Sequence, residues 1–126
     1  MTTSELRIGN YIQDLVGAPC KIRAINEGGL SIKGGGYSAS VEMFKPIKLT
    51  EEVLLNCGFK AENIYSNFIL DDFEIESGVR IISTNERCSF YLSGDIPDFM
   101  KIKIEYVHQL QNLYFALTNK ELEICF

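Results

Sequence analysis

From Leu6 to Lys48 glycine and proline cut the chain so often that only short strands can form there. Gly9, Gly17, Pro19, Gly28, Gly29, Gly34, Gly35, Gly36 and Pro46 interrupt the stretch, and within the pieces apolar residues alternate with polar ones. Ile8, Asn10 and Ile12 fall on one side of a period-2 pattern, and Asp14 to Pro19 form a turn-rich break. Lys21–Ile25 and Gly29–Lys33 flank Asn26-Glu27-Gly28, which predicts a hairpin closed by a three-residue loop with Gly28 left-handed. That register places Ile22 opposite Ile32 and Ala24 opposite Leu30 on the inner face. Lys21 then faces Lys33, and Arg23 faces Ser31, on the outer face. Tyr37, Ala39, Val41 and Met43 alternate with Ser38, Ser40 and Glu42 as a further strand, and Pro46 confines Ile47-Lys48 to an edge. Four or five short strands in about 45 residues predict a small, curved SH3-like β-barrel.

A short helix follows with both ends marked. Thr50 is the N-cap, Glu51 and Glu52 occupy the first turn, and Leu49 and Leu54 take the two positions of a hydrophobic staple. Gly58 supplies the left-handed residue after the helix, and Phe59 folds back on Leu54 in a Schellman ending. Beyond it, Tyr65–Leu70, Phe73–Glu76, Val79–Ser83, Ser89–Leu92 and Ile102–Ile104 read as strands, with turns at Ser77-Gly78 and Asn85-Glu86-Arg87. Residues 105–118 read as a longer helix ended by Asn119, and Leu122, Ile124 and Phe126 as a terminal strand with one wet face. The expected fold is therefore α+β: an N-terminal SH3-like barrel over 1–48, a short capped helix, then antiparallel strands packed with one longer C-terminal helix and a terminal strand. The 126 residues suit a single compact domain.

Composition removes several function classes. No apolar run reaches the roughly 18–20 residues of a membrane span, and the amino-terminal residues show no basic cap or apolar core of a secretion signal, so a cytoplasmic location without membrane contact is expected. Cys20, Cys57, Cys88 and Cys125 are scattered and read as free thiols. With a single histidine and no paired cysteines, no zinc site and no cofactor are expected. Residues 1–60 hold seven Lys/Arg against six Asp/Glu, a net of +1, whereas 61–126 hold five against eleven, a net of −6. The second half therefore repels a phosphate backbone.

Three stretches carry a resemblance: Glu5-Leu6-Arg7-Ile8-Gly9-Asn10; Pro46-Ile47-Lys48-Leu49-Thr50-Glu51-Glu52 with Leu55 to Phe59; and Tyr106-Val107-His108-Gln109-Leu110-Gln111-Asn112-Leu113-Tyr114-Phe115-Ala116-Leu117-Thr118. Together they resemble a family of small proteins from gut Bacteroidales bacteria and their tailed phages that carries no assigned activity. The resemblance implies a phage or mobile-element context, and with it dealings with host machinery or host defence.

Nothing in the chain forms a catalytic pattern. His108 is the only available base and no nucleophile-elbow motif precedes it. Asp71, Asp72, Glu74 and Glu76 lack the order of a calcium loop, and alternation puts Asp72, Glu74 and Glu76 on a solvated face with Phe73 and Ile75 behind. Gly34-Gly35-Gly36 precedes a strand rather than the helix that a phosphate loop needs. Two surfaces remain. On the long helix Tyr106, Leu110, Leu113, Tyr114 and Leu117 form the core stripe, with Val107 at its border, and His108, Gln111, Asn112 and Phe115 lie on the other side. That side is a candidate interface, unless the acidic central hairpin or the terminal strand covers it. Lys21, Arg23 and Lys33 make a candidate basic strip on the barrel. The expected function is non-enzymatic: a binding module with a protein partner or self-association. The alternatives are a small nucleotide-like ligand captured between barrel and helix as an anti-defence sponge, and nucleic acid bound through the basic strip.

Overall fold

The glycine-cut stretch forms two antiparallel ladders in a computed structural model, which describes residues 1–27, 29–32, 39–61, 67–71, 73–77, 80–81, 86–87, 90–93 and 102–126. In chain order the elements are β1 (Tyr11–Gln13), β2 (Pro19–Lys21), β3 (Ala24–Asn26), β4 (Gly29–Ser31), α1 (Glu51–Asn56), β5 (Lys60–Ala61), β6 (Asn67–Leu70), β7 (Phe73–Ser77), β8 (Arg80–Ile81), β9 (Glu86–Arg87), β10 (Phe90–Leu92), β11 (Lys103–Ile104) and α2 (Val107–Thr118). The fold is α+β, and every described strand pair is antiparallel. The chain divides into two compact units, Met1–Lys48 with Tyr106–Lys120, and Leu49–Glu105 with Glu121–Phe126.

In the first unit β1 pairs with β2 and β3 with β4, as two separate two-stranded ladders. Bridges join Gln13 to Lys45 and Leu30 to Ala39. Among the described residues these pairings do not close a barrel. Leu6, Ile12, Ile22, Leu30 and Phe44 form the core, with Cys20, Ile25, Ile32, Ala39 and Val41 packed against it.

The β3–β4 register differs from expectation by one residue: Ala24 pairs with Ser31, Ile25 with Leu30 and Asn26 with Gly29, while Gly28 lies outside the described residues. Alternation misled because β4 is buried at all three positions, Gly29, Leu30 and Ser31, so burial does not choose between its faces. Its second edge exchanges both backbone hydrogen bonds between Leu30 and Ala39 at 2.7 Å. Gly29, at φ +138°, lies where an added Cβ would run into the Ala39 carbonyl. Two further expectations fail here. Val41–Met43 is a turn of 3-10 helix, begun by Ser40, whose hydroxyl accepts the Glu42 N–H, so the alternating strand stops at Ala39. Ile8 is 57% exposed although Asn10 and Ile12 are buried, because Gly9 at φ +96° breaks the alternation. Tyr37 and Ser38 lie outside the described residues.

The second unit holds a five-stranded sheet in the order β11-β10-β7-β6-β5 and a separate β8–β9 ladder. Glu86 and Arg87 are thus strand rather than turn. Phe68, Phe73, Ile75, Phe90 and Ile104 are buried, whereas Glu74 and Glu76 remain partly exposed, so β7 alternates as expected. Phe68 meets Phe90, and Phe59 meets Phe73, edge to face at 6.1 Å. Helix α1 carries the caps read from its sequence. The Thr50 hydroxyl accepts the Val53 N–H at 3.2 Å, Gly58 sits at φ +93°, and Phe59 N–H and Gly58 N–H donate to the carbonyls of Leu54 and Leu55. Leu49 and Leu54 are both buried, as a staple requires. The terminal strand is absent: residues 121–126 have no regular structure, and the Cys125 N–H points to the Asn56 carbonyl at the end of α1 rather than to a strand edge.

Candidate functional site

Helix α2 brings most of the singled-out residues together, and it belongs to the unit of the N-terminal strands. Its first turn is held by backbone: Val107 N–H donates to the Ile47 carbonyl at 2.8 Å, and the Gln109 side chain reaches back to the Tyr106 N–H at 3.0 Å. Asn119, left-handed at φ +59°, ends it by donating to the Phe115 carbonyl. Leu110 and Tyr114 of the expected core stripe are buried, as is Val107 at its border, but Leu117 is 59% exposed.

The face expected to be wet is occupied by residues 5–11 of the same unit. Gln111 is buried, and its side-chain amide behaves as the peptide group of a neighbouring strand. Its Oε1 accepts the Tyr11 N–H at 2.8 Å and its Nε2 donates to the Gly9 carbonyl at 3.1 Å. Asn112 Oδ1 accepts from Asn10 Nδ2 at 2.8 Å and from Arg7 Nε at 3.2 Å, while its Nδ2 donates to the Glu5 carbonyl at 3.0 Å. The Arg7 guanidinium also lies over the Phe115 ring, 4.4 Å from its centre. Phe115 is therefore partly buried by the chain itself, under the N-terminal stretch of the same unit. The physical reason is hydrogen-bond accounting. Tyr11 N–H and Gly9 C=O point away from β2, and a buried backbone group needs a partner.

His108 is likewise buried rather than on a wet surface, only 1% exposed and stacked on Tyr106 at 5.8 Å. Neither ring nitrogen has a hydrogen-bond partner among the described residues. Burial pushes its imidazole below the ordinary range; the Glu5 carboxylate opposes that shift and the chain's α-amino group adds to it. Among the described residues no nucleophile or carboxylate is hydrogen-bonded to this imidazole.

Of the expected basic strip, two residues are described. Lys21 and Arg23 are exposed, and Lys33 lies outside the described residues. Lys21 pairs with Tyr11 across the β1–β2 ladder, with its Nζ 5.9 Å from the ring centre.

One surface escaped sequence reasoning. The β1–β2 connection presents Leu15, 60% exposed, and Val16, 89% exposed, at its tip. Asp14 Oδ1 accepts the N–H groups of Val16 and Ala18 at 3.0 and 2.9 Å, and the Asp14 and Ala18 backbones bond at 3.0 Å, so the tip is ordered from within. Two apolar residues inside a turn headed by Asp and closed by Gly17 were the available signal.

In the second unit a hollow of about 500 Å³ is lined by Gly58, Lys60, Ile69, Leu70 and Asp71. It offers one cation beside one carboxylate, and this lining includes no aromatic ring on which a base could stack. No group of three or more His, Cys, Asp or Glu fit to hold a metal ion occurs among the described residues. No helix among them is long and apolar enough to cross a membrane. The chain matches no protein-family model, no curated protein and no solved structure.

Proposed function

We propose that this chain is a non-enzymatic binding module acting through protein–protein contacts, with the apolar tip of the β1–β2 hairpin inserted into an apolar cleft of its partner. The supporting observation is the tip itself: two large apolar side chains left in water on a loop whose backbone Asp14 already holds in one conformation. Such a loop loses little conformational entropy on docking, and burying a Leu or Val side chain contributes about 1.5–3 kcal/mol. The finer reading of residues 1–48 as an SH3-like barrel draws support from the two antiparallel ladders β1–β2 and β3–β4, the 3-10 turn after them and the Gln13–Lys45 bridge. A phage or mobile-element setting in a host cytoplasm rests on the resemblance of the three stretches quoted above.

The test is affinity capture from host lysate, with mass spectrometry of proteins and small molecules, for the native chain and a Leu15→Ser/Val16→Ser variant. A protein retained by the native chain and weakened about a hundredfold or more by the variant, at unchanged melting temperature, is expected. Retention of a nucleotide instead, or a partner indifferent to the variant, overturns the reading. A second reading, nucleic-acid binding, draws on exposed Lys21 above the Tyr11 ring with Arg23 beside it. It requires affinity that falls steeply with salt and again in Lys21→Glu.

A further inference from the structure

Two of the four cysteines, 68 positions apart in sequence, meet at the end of α1. Asn56 closes that helix and Cys57 follows it, and the Asn56 carbonyl accepts the Cys125 N–H at 3.4 Å. The Cys57 α-carbon lies about 2.8 Å from that oxygen across the shared peptide, and the Cys125 α-carbon about 1.5 Å beyond its nitrogen. The two α-carbons are therefore at most about 7.7 Å apart, and closer for any bent path, against roughly 4.4–6.8 Å in disulfides. Residues 121–126 have no regular secondary structure. Both thiols are free, Cys57 buried and Cys125 exposed. Their sulfurs sense each other: burial, with the Cys125 sulfur adding to it, pushes the Cys57 thiol up to about 12.

We infer that Cys57 and Cys125 are a dithiol couple which a low-molecular-weight disulfide oxidises to an intramolecular disulfide, tying residues 121–126 to the end of α1. Exposure sets the order of events. The Cys125 thiolate attacks one sulfur of the small disulfide, whose S–S bond breaks; one small thiolate leaves and takes up a proton. A mixed disulfide now sits on Cys125. Cys57 then gives up its proton, attacks the Cys125 sulfur and expels the second small thiol. The protein dithiol loses two electrons, and the small disulfide gains them as two thiols. Because Cys57 holds its proton tightly, the second step is the slower one and the mixed disulfide accumulates first.

The experiment exposes the reduced full chain to oxidised glutathione, blocks remaining thiols at intervals, and maps the products by proteolysis and mass spectrometry. Expected are an early glutathione adduct on Cys125 and its replacement by a peptide pair joining Cys57 to Cys125, reversed by dithiothreitol. Cys57→Ser should stop at the Cys125 adduct, and the native time course serves alone if that variant does not fold. The inference is overturned if the adduct on Cys125 persists with Cys57 still reduced. It is equally overturned if cross-links to Cys20 or Cys88 predominate, or if no thiol reacts.

Discussion

Replacing Gln111 with Met tests whether a single side-chain amide fastens the N-terminal stretch to α2. Met keeps the length and apolar stem of Gln but is only a weak acceptor for the Tyr11 N–H and cannot donate to the Gly9 carbonyl, bonds of 2.8 and 3.1 Å in the native chain. Gln111 is 1% exposed, so its replacement leaves two backbone groups facing a thioether. An unsatisfied buried polar group costs about 1–3 kcal/mol. Gly9 and Tyr11 are themselves partly exposed, so water recovers some of the loss, and removing the amide from the interior returns up to about 1 kcal/mol. The net expectation is a loss of about 2–4 kcal/mol, confined to the unit that contains β1 and α2. Urea denaturation reads the magnitude, and amide hydrogen exchange at Tyr11 reads the place: protection there should fall by about two orders of magnitude or more. A variant within about 0.5 kcal/mol of the native chain, with Tyr11 exchange unchanged, would refute the idea that this amide stands in for a missing strand.

Three further outcomes are expected. Gly58→Val should destabilise the second unit by more than about 1 kcal/mol in thermal melts, because φ +93° is closed to a β-branched residue; an unchanged midpoint would mean that the Schellman ending contributes nothing. Gly29→Ala should cost more than about 2 kcal/mol in urea, since its methyl group meets the Ala39 carbonyl at a positive φ, and a smaller effect would show that the Leu30–Ala39 bridge yields easily. Burial keeps the His108 imidazole below its ordinary value of 6.5, so the unfolded chain takes up that proton first. The stability His108 supports is complete above about pH 6.5 and declines as pH falls toward the lower folded-state value; His108→Phe should flatten that part of a stability–pH profile, and equal slopes in both chains would contradict it.

What the sequence determined alone is whatever closes within a few residues. The Thr50 cap, the Leu49–Leu54 staple and the Gly58 ending of α1 all link positions no more than five apart, so residue type and spacing suffice to specify them. The end of α2 at Asn119 and the inward Phe73 and Ile75 of β7 were legible for the same reason. Tertiary structure decided the rest. Gln111 and Asn112 look like solvent-facing amides on a helical wheel, yet their partners Glu5, Gly9, Asn10 and Tyr11 lie about a hundred residues away. Periodicity shows which residues share a face but carries no information on what will cover it. The β3–β4 register failed on the same ground, because tertiary packing buries β4 at all three positions and removes the alternation that sets a register. The approach of Cys125 to α1 has no local pattern either, since a contact closed by chain folding leaves no spacing in the sequence to read.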